Sequence, residues 1–196
     1  MARRLHVVIS STRPGRVGPS VAQWLNGFAA AHGGFEAVLV DLAAFNLPVF
    51  DEPEHPRLQK YQHAHTRAWS ESTRQADAFV FVMPEYNYGP PPSLVNALNY
   101  LVVEWGYAPV GLVTYGGLSG GLRSAQAVKP LLTALRMMPL PDGVAIPFVN
   151  QHLDANRTFT ATDQHQHSAR TLLDELARWT DALAPLRAER KGRQAS

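Results

Sequence analysis

The stretch AFVFVMPEYNYGPPPS, residues 78–93, decides the fold that we predict for this chain. Its first six residues form an unbroken apolar run, which is typical of a parallel strand buried on both faces. Prolines, a glycine, two tyrosines and an asparagine follow, so the strand leads into a stiff loop at its carboxyl end. Ligands of open α/β sheets bind at that edge. The tyrosine rings and the amide suit a flat heterocycle, and a planar redox cofactor is the first hypothesis.

The remainder of the chain alternates between apolar runs and amphipathic segments. The predicted strands are residues 5–9, 35–40, 78–83, 109–114 and 144–146, and the predicted helices are residues 19–31, 58–75, 93–103, 122–137 and 166–183. This alternation indicates an α/β protein with a three-layer flavodoxin-like fold, in which five parallel strands have the order 2-1-3-4-5. We expect a single domain over residues 1–186 and a basic, disordered tail at 187–196.

Composition restricts the function classes. The chain has 196 residues, 45% of them hydrophobic, and a formal net charge of +2. Residues 187–196 contain four cationic residues and one acidic residue, which leaves the preceding part of the chain near −1. We therefore expect no nucleic-acid partner, since such binding needs a basic face on the folded body. The absence of cysteine excludes disulfides and thiolate chemistry, and no segment is long and apolar enough for a membrane helix. We expect a cytoplasmic protein without a membrane partner.

A second polar loop, SSTRPGRVGPS at residues 10–20, follows the first predicted strand. Its hydroxyls and two arginines directly precede a helix, whose N-terminus favours an anion. Arg13 adds a planar fork that matches phosphate. The loop lacks the GxGxxG and GxxxxGK[ST] patterns, so neither a dinucleotide fingerprint nor a P-loop is indicated. We predict that it binds a terminal monophosphate.

The third loop, TYGGLSGGLR at residues 114–123, follows the fourth predicted strand. Its two glycine pairs allow the backbone to approach a ligand closely, so that amide groups could face the polar edge of a flat ring. All three loops should lie at the carboxyl edge of the predicted sheet. We therefore expect them to meet over one ligand.

Glu85 and the histidines allow more than one interpretation. Glu85 is either a proton-transfer group or, as is more common for such a carboxylate, a cap of backbone amides or the partner of an arginine. His63 and His65 fall within a predicted helix, where their rings would point about 200° apart and bind one metal ion poorly. We predict that both are surface histidines and that the chain has no metal site.

The three loops resemble those of the NAD(P)H-dependent FMN reductase family of flavodoxin-like proteins, which includes quinone, azo-dye and chromate reductases. The similarity covers residues 5 to about 140, and Pro84-Glu85-Tyr86-Asn87 is its most specific part. It implies FMN as the cofactor and NAD(P)H as the co-substrate. It also implies a homodimer, or a tetramer built as a dimer of dimers, with the flavin near an interface.

The resemblance also implies which residues bind the flavin, and it assigns no catalytic side chain because the flavin carries the chemistry. The phosphate would be held by Ser11, Arg13, Arg16, Val17 and Gly18. The isoalloxazine and ribityl chain would be lined by Pro84, Glu85, Tyr86, Asn87 and Tyr88. The polar edge of the ring would be covered by Tyr115, Gly116, Gly117 and Ser119.

The chain departs from the family pattern in each of the first two loops. Ser10 stands where the family has glycine, and Arg16 stands where many members have serine. Arg16 could strengthen phosphate binding or reach a neighbouring phosphate. Pro91-Pro92 replaces the usual Pro-Gly, and this stiffer turn could alter the substrate or the assembly.

The implied reaction is ping-pong: NAD(P)H reduces the flavin and leaves, and a small acceptor such as a quinone then takes the electrons. Two other functions stay open. The first is a non-enzymatic electron carrier like flavodoxin, although the near-neutral body and the two arginines of the first loop argue against it. The second is a binding module that has kept the fold without the flavin.

Overall fold

The computed structural model describes residues 3–192 of the chain. Five parallel strands form one sheet in the order β2-β1-β3-β4-β5, which confirms the predicted flavodoxin-like topology. The strands are β1 (Arg3–Ile9), β2 (Phe35–Asp41), β3 (Ala78–Pro84), β4 (Pro109–Tyr115) and β5 (Met138–Ile146).

Helices cover both faces of this sheet, as parallel sheets require. The helices are α1 (Gly18–His32), α2 (Ala64–Gln75), α3 (Pro92–Asn99), α4 (Leu122–Ala134) and α5 (Asp163–Gly192), and short 3-10 turns lie at Leu42–Phe45, Pro56–Leu58 and Val149–His152. Apolar side chains of α1 and α5 share one core with the sheet, and those of α2, α3 and α4 share the other. None of the helices in the described part of the chain is long and apolar enough to cross a membrane.

The packing of the central strand β3 explains why its sequence is an unbroken apolar run. Val80 and Val82 point into the core beneath α1 and α5, whereas Phe79, Phe81 and Met83 point into the opposite core. All five side chains have no exposed area. A strand covered on both faces cannot alternate between apolar and polar residues, so the pattern in the sequence follows directly from the layer arrangement.

Helix α2 begins at Ala64, six residues later than predicted, because tertiary contacts hold the preceding segment. The Glu52 carboxylate accepts hydrogen bonds from the backbone amides of Gln62 (2.8 Å) and His63 (3.0 Å). Tyr61 donates a hydrogen bond to the buried carboxylate of Glu104 (3.0 Å). These long-range bonds replace the helical hydrogen bonds that the amphipathic pattern suggested. Because His63 precedes the helix, the predicted divergence of the two histidine rings is wrong: the His63 and His65 rings stack with centroids 5.2 Å apart.

The C-terminal helix α5 extends past residue 186, where we expected a disordered tail to begin. It continues to Gly192, and Arg187 is buried. The Arg187 guanidinium donates hydrogen bonds to the carbonyl oxygens of Ala76 (2.8 Å) and Gly106 (3.2 Å), which explains how a cation can lie there. The prediction for the last four residues falls outside the described part of the chain.

The register of the sheet brings the three loops together at its carboxyl edge. Ile9 of β1 pairs with Val82 of β3, and Pro84 of β3 pairs with Tyr115 of β4. The segments that follow β1, β3 and β4 therefore emerge side by side. This edge is where a ligand is expected in an open α/β sheet.

Candidate functional site

The first loop, residues 10–17, leads directly into the N-terminus of α1. A turn closes between the Arg16 amide and the Arg13 carbonyl (3.2 Å), and the Arg13 amide lies 3.4 Å from Ser11 Oγ. Val17 stands at the N-cap position, and no side chain of the described residues caps the helix. Its first turn contains no acidic residue. Pro19 has no amide hydrogen, the Ser20 amide donates to the Val17 carbonyl (3.0 Å), and the Gly18 amide faces the Tyr115 hydroxyl, so the positive end of the helix dipole rather than a set of free amides favours an anion here.

The first two loops are joined by a pair of hydroxyl groups. Ser11 Oγ and the hydroxyl oxygen of Tyr86 lie 2.7 Å apart, and Arg13 Nε lies 3.4 Å from the same tyrosine oxygen. The structure thus brings together three residues that the sequence assigned to two different loops. Two hydroxyls and one guanidinium beside an open helix N-terminus form a donor set suited to phosphate.

Arg16, a predicted phosphate residue, already has an anionic partner. Its guanidinium pairs with the Asp41 carboxylate at the end of β2 (2.5 Å), and Asp41 also accepts a hydrogen bond from the Ala43 amide (3.0 Å). This pairing offsets the charge that we expected to face a phosphate. Arg16 Nε is buried and has no hydrogen-bond partner among the described residues. Arg13 is therefore the stronger candidate for direct phosphate contact.

Tyr115 lies in the core beneath the first loop. This position differs from the one that we expected, over the polar edge of the flavin ring. The residue is only 4% exposed. A Cβ atom on Gly18 would lie 2.9 Å from the Tyr115 hydroxyl, so glycine is needed where the helix crosses the ring. Burial above all raises the pKa of Tyr115 far above its ordinary value, so the phenol stays neutral. The Gly18 backbone amide faces this hydroxyl at the base of the loop.

The second loop begins with a tight turn over Tyr86–Gly89. Tyr86 and Gly89 exchange two backbone hydrogen bonds of 2.9 Å. Asn87 (φ 50°) and Tyr88 (φ 69°) both have positive φ, as the central residues of a type I′ turn require. Positive φ is costly for a bulky residue such as tyrosine, and strain of this kind is concentrated at functional sites. Pro84, the other predicted residue of this group, ends β3 and is buried.

Glu85 connects the second loop to the third and serves as a cap. Its carboxylate accepts hydrogen bonds from Ser119 Oγ (2.7 Å), the Arg123 amide (3.1 Å) and the Arg123 guanidinium (2.8 Å). Although burial raises the pKa of Glu85, these hydrogen bonds and the Arg123 charge outweigh it and hold the pKa below the ordinary 4.5. The carboxylate is thus ionised at neutral pH with its oxygens occupied. The structure therefore favours the interpretation of Glu85 as a cap of a backbone amide and partner of an arginine over that of a proton-transfer group.

Arg123 is a site residue that the predicted set omitted. It closes the ion pair with Glu85, and its guanidinium carbon lies 4.2 Å above the centroid of the Tyr88 ring. The exposed Tyr88 ring is thereby held over the strained turn. The signal for Arg123 was present in the sequence, because it ends the Gly-Gly-x-x-Gly-Gly-x-Arg pattern of the third loop.

The third loop bonds part of its backbone to the end of β5 and to the segment that follows it. The Gly116 amide donates to the Ile146 carbonyl (3.3 Å), and the Gly117 carbonyl accepts from the Phe148 amide (3.0 Å). Gly121 has φ 86°, and a Cβ there would lie 2.6 Å from the Cβ of Thr114. These glycines therefore permit a close crossing of the chain over the end of β4. The Gly116 amide is therefore not free to face a flavin ring, so the glycine pairs offer fewer amide groups to the ring than we predicted.

A large groove, which the sequence analysis did not predict, adjoins the site on the side of α3. The groove has a volume of about 1230 Å³ and lies between α3 and the irregular segment 42–56. Thr12, Pro90 and Ser93 connect it to the first two loops. The Asn96 side chain fixes its outer wall, donating to the Pro48 carbonyl (2.6 Å) and accepting from the Phe50 amide (3.0 Å).

Comparison with known proteins shows the family of this chain. The family model of NADPH-dependent FMN reductases matches residues 3–151. The chain belongs to the NADPH-dependent FMN reductase family. It is 36% identical over 140 residues to an NAD(P)H-dependent FMN reductase of Schizosaccharomyces pombe, covering 70% of each chain. It is 34% identical over 147 residues to a quinone reductase of Escherichia coli strain K12, covering 70% of this chain and 74% of that protein.

Solved structures support the fold of this FMN reductase family member. The flavoenzyme NAD(P)H:(acceptor) oxidoreductase of Paracoccus denitrificans superposes with a TM-score of 0.73 at 15% identity, covering 92% of this chain and 98% of that one. A flavodoxin from the domain Archaea superposes with a TM-score of 0.58 at 9% identity, covering 91% and 99%. These relatives share the arrangement of strands and helices.

The residues present fit the phosphate end of a mononucleotide. The uncapped start of α1, the paired hydroxyls of Ser11 and Tyr86, and Arg13 supply donors on one side of the loop. Arg16 Nε, close to them, is buried and has no hydrogen-bond partner among the described residues. Buried polar groups without partners are rare and commonly indicate an absent ligand or water.

Proposed function

We propose that this protein is an FMN-dependent NAD(P)H oxidoreductase that passes electrons in a ping-pong reaction to quinones or similar small acceptors. The observation that carries the proposal is the meeting of Ser11, Arg13 and Tyr86 beside the open N-terminus of α1. Membership of the NADPH-dependent FMN reductase family supports the same assignment. When bound, FMN would supply the hydride and electron chemistry.

The protein's part in this function is binding and orientation. Ser11 and Arg13 would hold the phosphate together with the positive end of the α1 dipole, while Arg16 stabilises the loop through Asp41. The strained Asn87-Tyr88 turn would line the flavin. The Glu85–Arg123 pair would fix the third loop against the second. Because the oxygens of Glu85 are already bonded, we assign it no proton transfer.

Quinones are the acceptor class that the relatives' names favour. Besides the E. coli quinone reductase, a 2-hydroxy-1,4-benzoquinone reductase of Burkholderia sp is 25% identical over 191 residues, covering 91% of this chain and 97% of that protein. The groove beside Pro90 and Ser93 would provide an approach for such a flat, largely apolar molecule.

Anaerobic flavin reduction tests the proposal. Purified protein is mixed with FMN and then with NADPH or NADH, and the flavin absorbance is followed. Rapid bleaching, followed by recovery of the absorbance when a benzoquinone is added, is the expected result. Bound flavin that is not reduced by either nicotinamide would support the electron carrier instead. Protein that binds no FMN would support the flavin-free module.

We also propose a cytoplasmic homodimer or dimer of dimers, as the family resemblance implied. The exposed Val49 (88%), Leu118 (77%) and Tyr88 (69%) would be covered in such an assembly. Light scattering coupled to size-exclusion chromatography tests this point, and a molecular mass of one chain at micromolar concentration would contradict it.

A further inference from the structure

A turn that follows β5 contacts the phosphate-binding loop from outside the three predicted loops. It spans residues 153–159, beyond the residues 3–151 that the family model matches. Leu153 and Phe159 form an antiparallel bridge at its base. The Asp154 carboxylate accepts hydrogen bonds of 2.8 Å from the amides of Asn156 and Thr158. This set of bonds gives the 153–159 turn a defined shape.

The 153–159 turn is fixed to the first turn of α1 through Ser20. The Ser20 hydroxyl donates to the Arg157 carbonyl and accepts from the Phe159 amide, both at 2.7 Å. Phe159 is buried, and its ring packs against Trp24 with centroids 5.2 Å apart. The turn is therefore anchored in the core and held beside the start of the helix.

Arg157 extends from this turn to the first loop. Its guanidinium donates a 3.0 Å hydrogen bond to the carbonyl oxygen of Gly15. Arg157 also has φ 62°, a left-handed conformation that is uncommon for a residue with a long side chain. Such a conformation persists only where surrounding contacts over-determine it, and the two Ser20 hydrogen bonds are those contacts.

The charge at the first loop gives Arg157 a function beyond holding the backbone. Arg16 is offset by Asp41, whereas neither Arg13 nor Arg157 forms an ion pair with any described side chain. The Gly15 carbonyl is the negative end of a peptide dipole next to a site for an anion. A cation bonded to that oxygen offsets its unfavourable field and adds positive charge to the loop.

We propose that Arg157 is a positioning residue for the phosphate end of the flavin. It fixes the carbonyl of Gly15 and thereby the shape of the turn between Arg13 and Arg16. It also supplies, besides Arg13, a second cation at the first loop that forms no ion pair with a described side chain. This assignment rests on the proposed FMN function. It predicts an effect on FMN that riboflavin, which lacks the phosphate, does not show.

The test is to measure dissociation constants of both flavins by fluorescence quenching for the wild type and for R157A, R157K and R178A. We expect R157A to bind FMN about tenfold more weakly, with the riboflavin constant changed by less than about twofold. R157K keeps the charge and a donor for Gly15, so it should stay within about threefold of the wild type. R178A removes an exposed arginine of α5 that pairs with Glu175 at three residues' spacing, and it should leave both constants unchanged.

The outcomes separate the two proposals. A wild-type protein that binds no FMN would overturn the proposed function and this assignment with it. If the wild type binds FMN and R157A binds it equally well, only the assignment of Arg157 is overturned. An equal loss for FMN and riboflavin would also overturn it, because the whole pocket would then depend on the turn. Thermal unfolding of R157A without flavin shows whether the variant is folded, and R157K keeps the test valid if it is not.

Discussion

Replacing Glu85 with glutamine should destabilise the protein although the side chain keeps its shape. The carboxylate is 9% exposed and accepts three hydrogen bonds, two of them at Oε2 and one at Oε1. Glutamine has one carbonyl oxygen, so its NH₂ group must face a donor of Ser119 or Arg123. Losing a hydrogen bond to a charged group costs about 1.5–3 kcal/mol. The ion pair contributes at most about 1 kcal/mol because the Arg123 side chain is 48% exposed.

We therefore expect E85Q to lower the free energy of unfolding by about 2–3 kcal/mol at pH 7. Urea unfolding of the flavin-free protein, followed by tryptophan fluorescence, measures this difference. E175Q is the matched control, because Glu175 pairs with Arg178 on the surface of α5 and the Arg178 side chain is 78% exposed. Its effect should stay below about 0.5 kcal/mol.

Acid provides a second readout for the same variant. The pKa of Glu85 is lower in the folded state than its ordinary 4.5. Its stabilisation is thus fully present above pH 4.5 and is lost as the pH falls through the folded-state pKa. The difference between the wild type and E85Q should narrow as the pH falls below 4.5 and through the folded-state pKa of Glu85. A difference below about 0.5 kcal/mol at pH 7, or one that widens in acid, would refute the reasoning.

Three further predictions concern the first loop and His6, a buried histidine of β1. G18A should destabilise the protein by about 1–3 kcal/mol, because the added Cβ would lie 2.9 Å from the Tyr115 hydroxyl, and Y115F should relieve part of that cost in a double-mutant cycle. R13A should weaken FMN binding about tenfold and riboflavin binding less than twofold, and unchanged FMN retention on gel filtration would contradict the phosphate contact. Burial lowers the pKa of His6 from 6.5 to about 4, so stability should fall by about 3 kcal/mol as the pH drops from 6.5 to 4. H6L should lose this component, and urea midpoints of H6L that track those of the wild type across this range would argue against it.

The sequence by itself determined the fold and the identity of the three loops. The apolar run from Ala78 to Met83 is typical of a strand covered on both faces, and its alternation with amphipathic segments predicts a parallel sheet, whose order 2-1-3-4-5 is that of flavodoxin-like folds. The Pro84–Tyr88 motif and the two arginines of the first loop are local patterns. Such patterns can be recognised in the sequence because the chemistry of each loop depends on residues that are neighbours in the chain.

Only the tertiary structure decided which partner each side chain meets. Arg16, in the loop after β1, pairs with Asp41 at the end of the neighbouring strand β2, and Tyr115 lies under Gly18 because the crossing of β4 and α1 leaves room only for a residue without Cβ. The late start of α2 depends on hydrogen bonds to Glu52. The extension of α5 past residue 186 depends on carbonyl groups that accept hydrogen bonds from Arg187. The link from Arg157 to Gly15 joins residues 142 positions apart. Periodicity and propensity are properties of neighbouring residues, so they carry no information on contacts that form only when distant segments pack together.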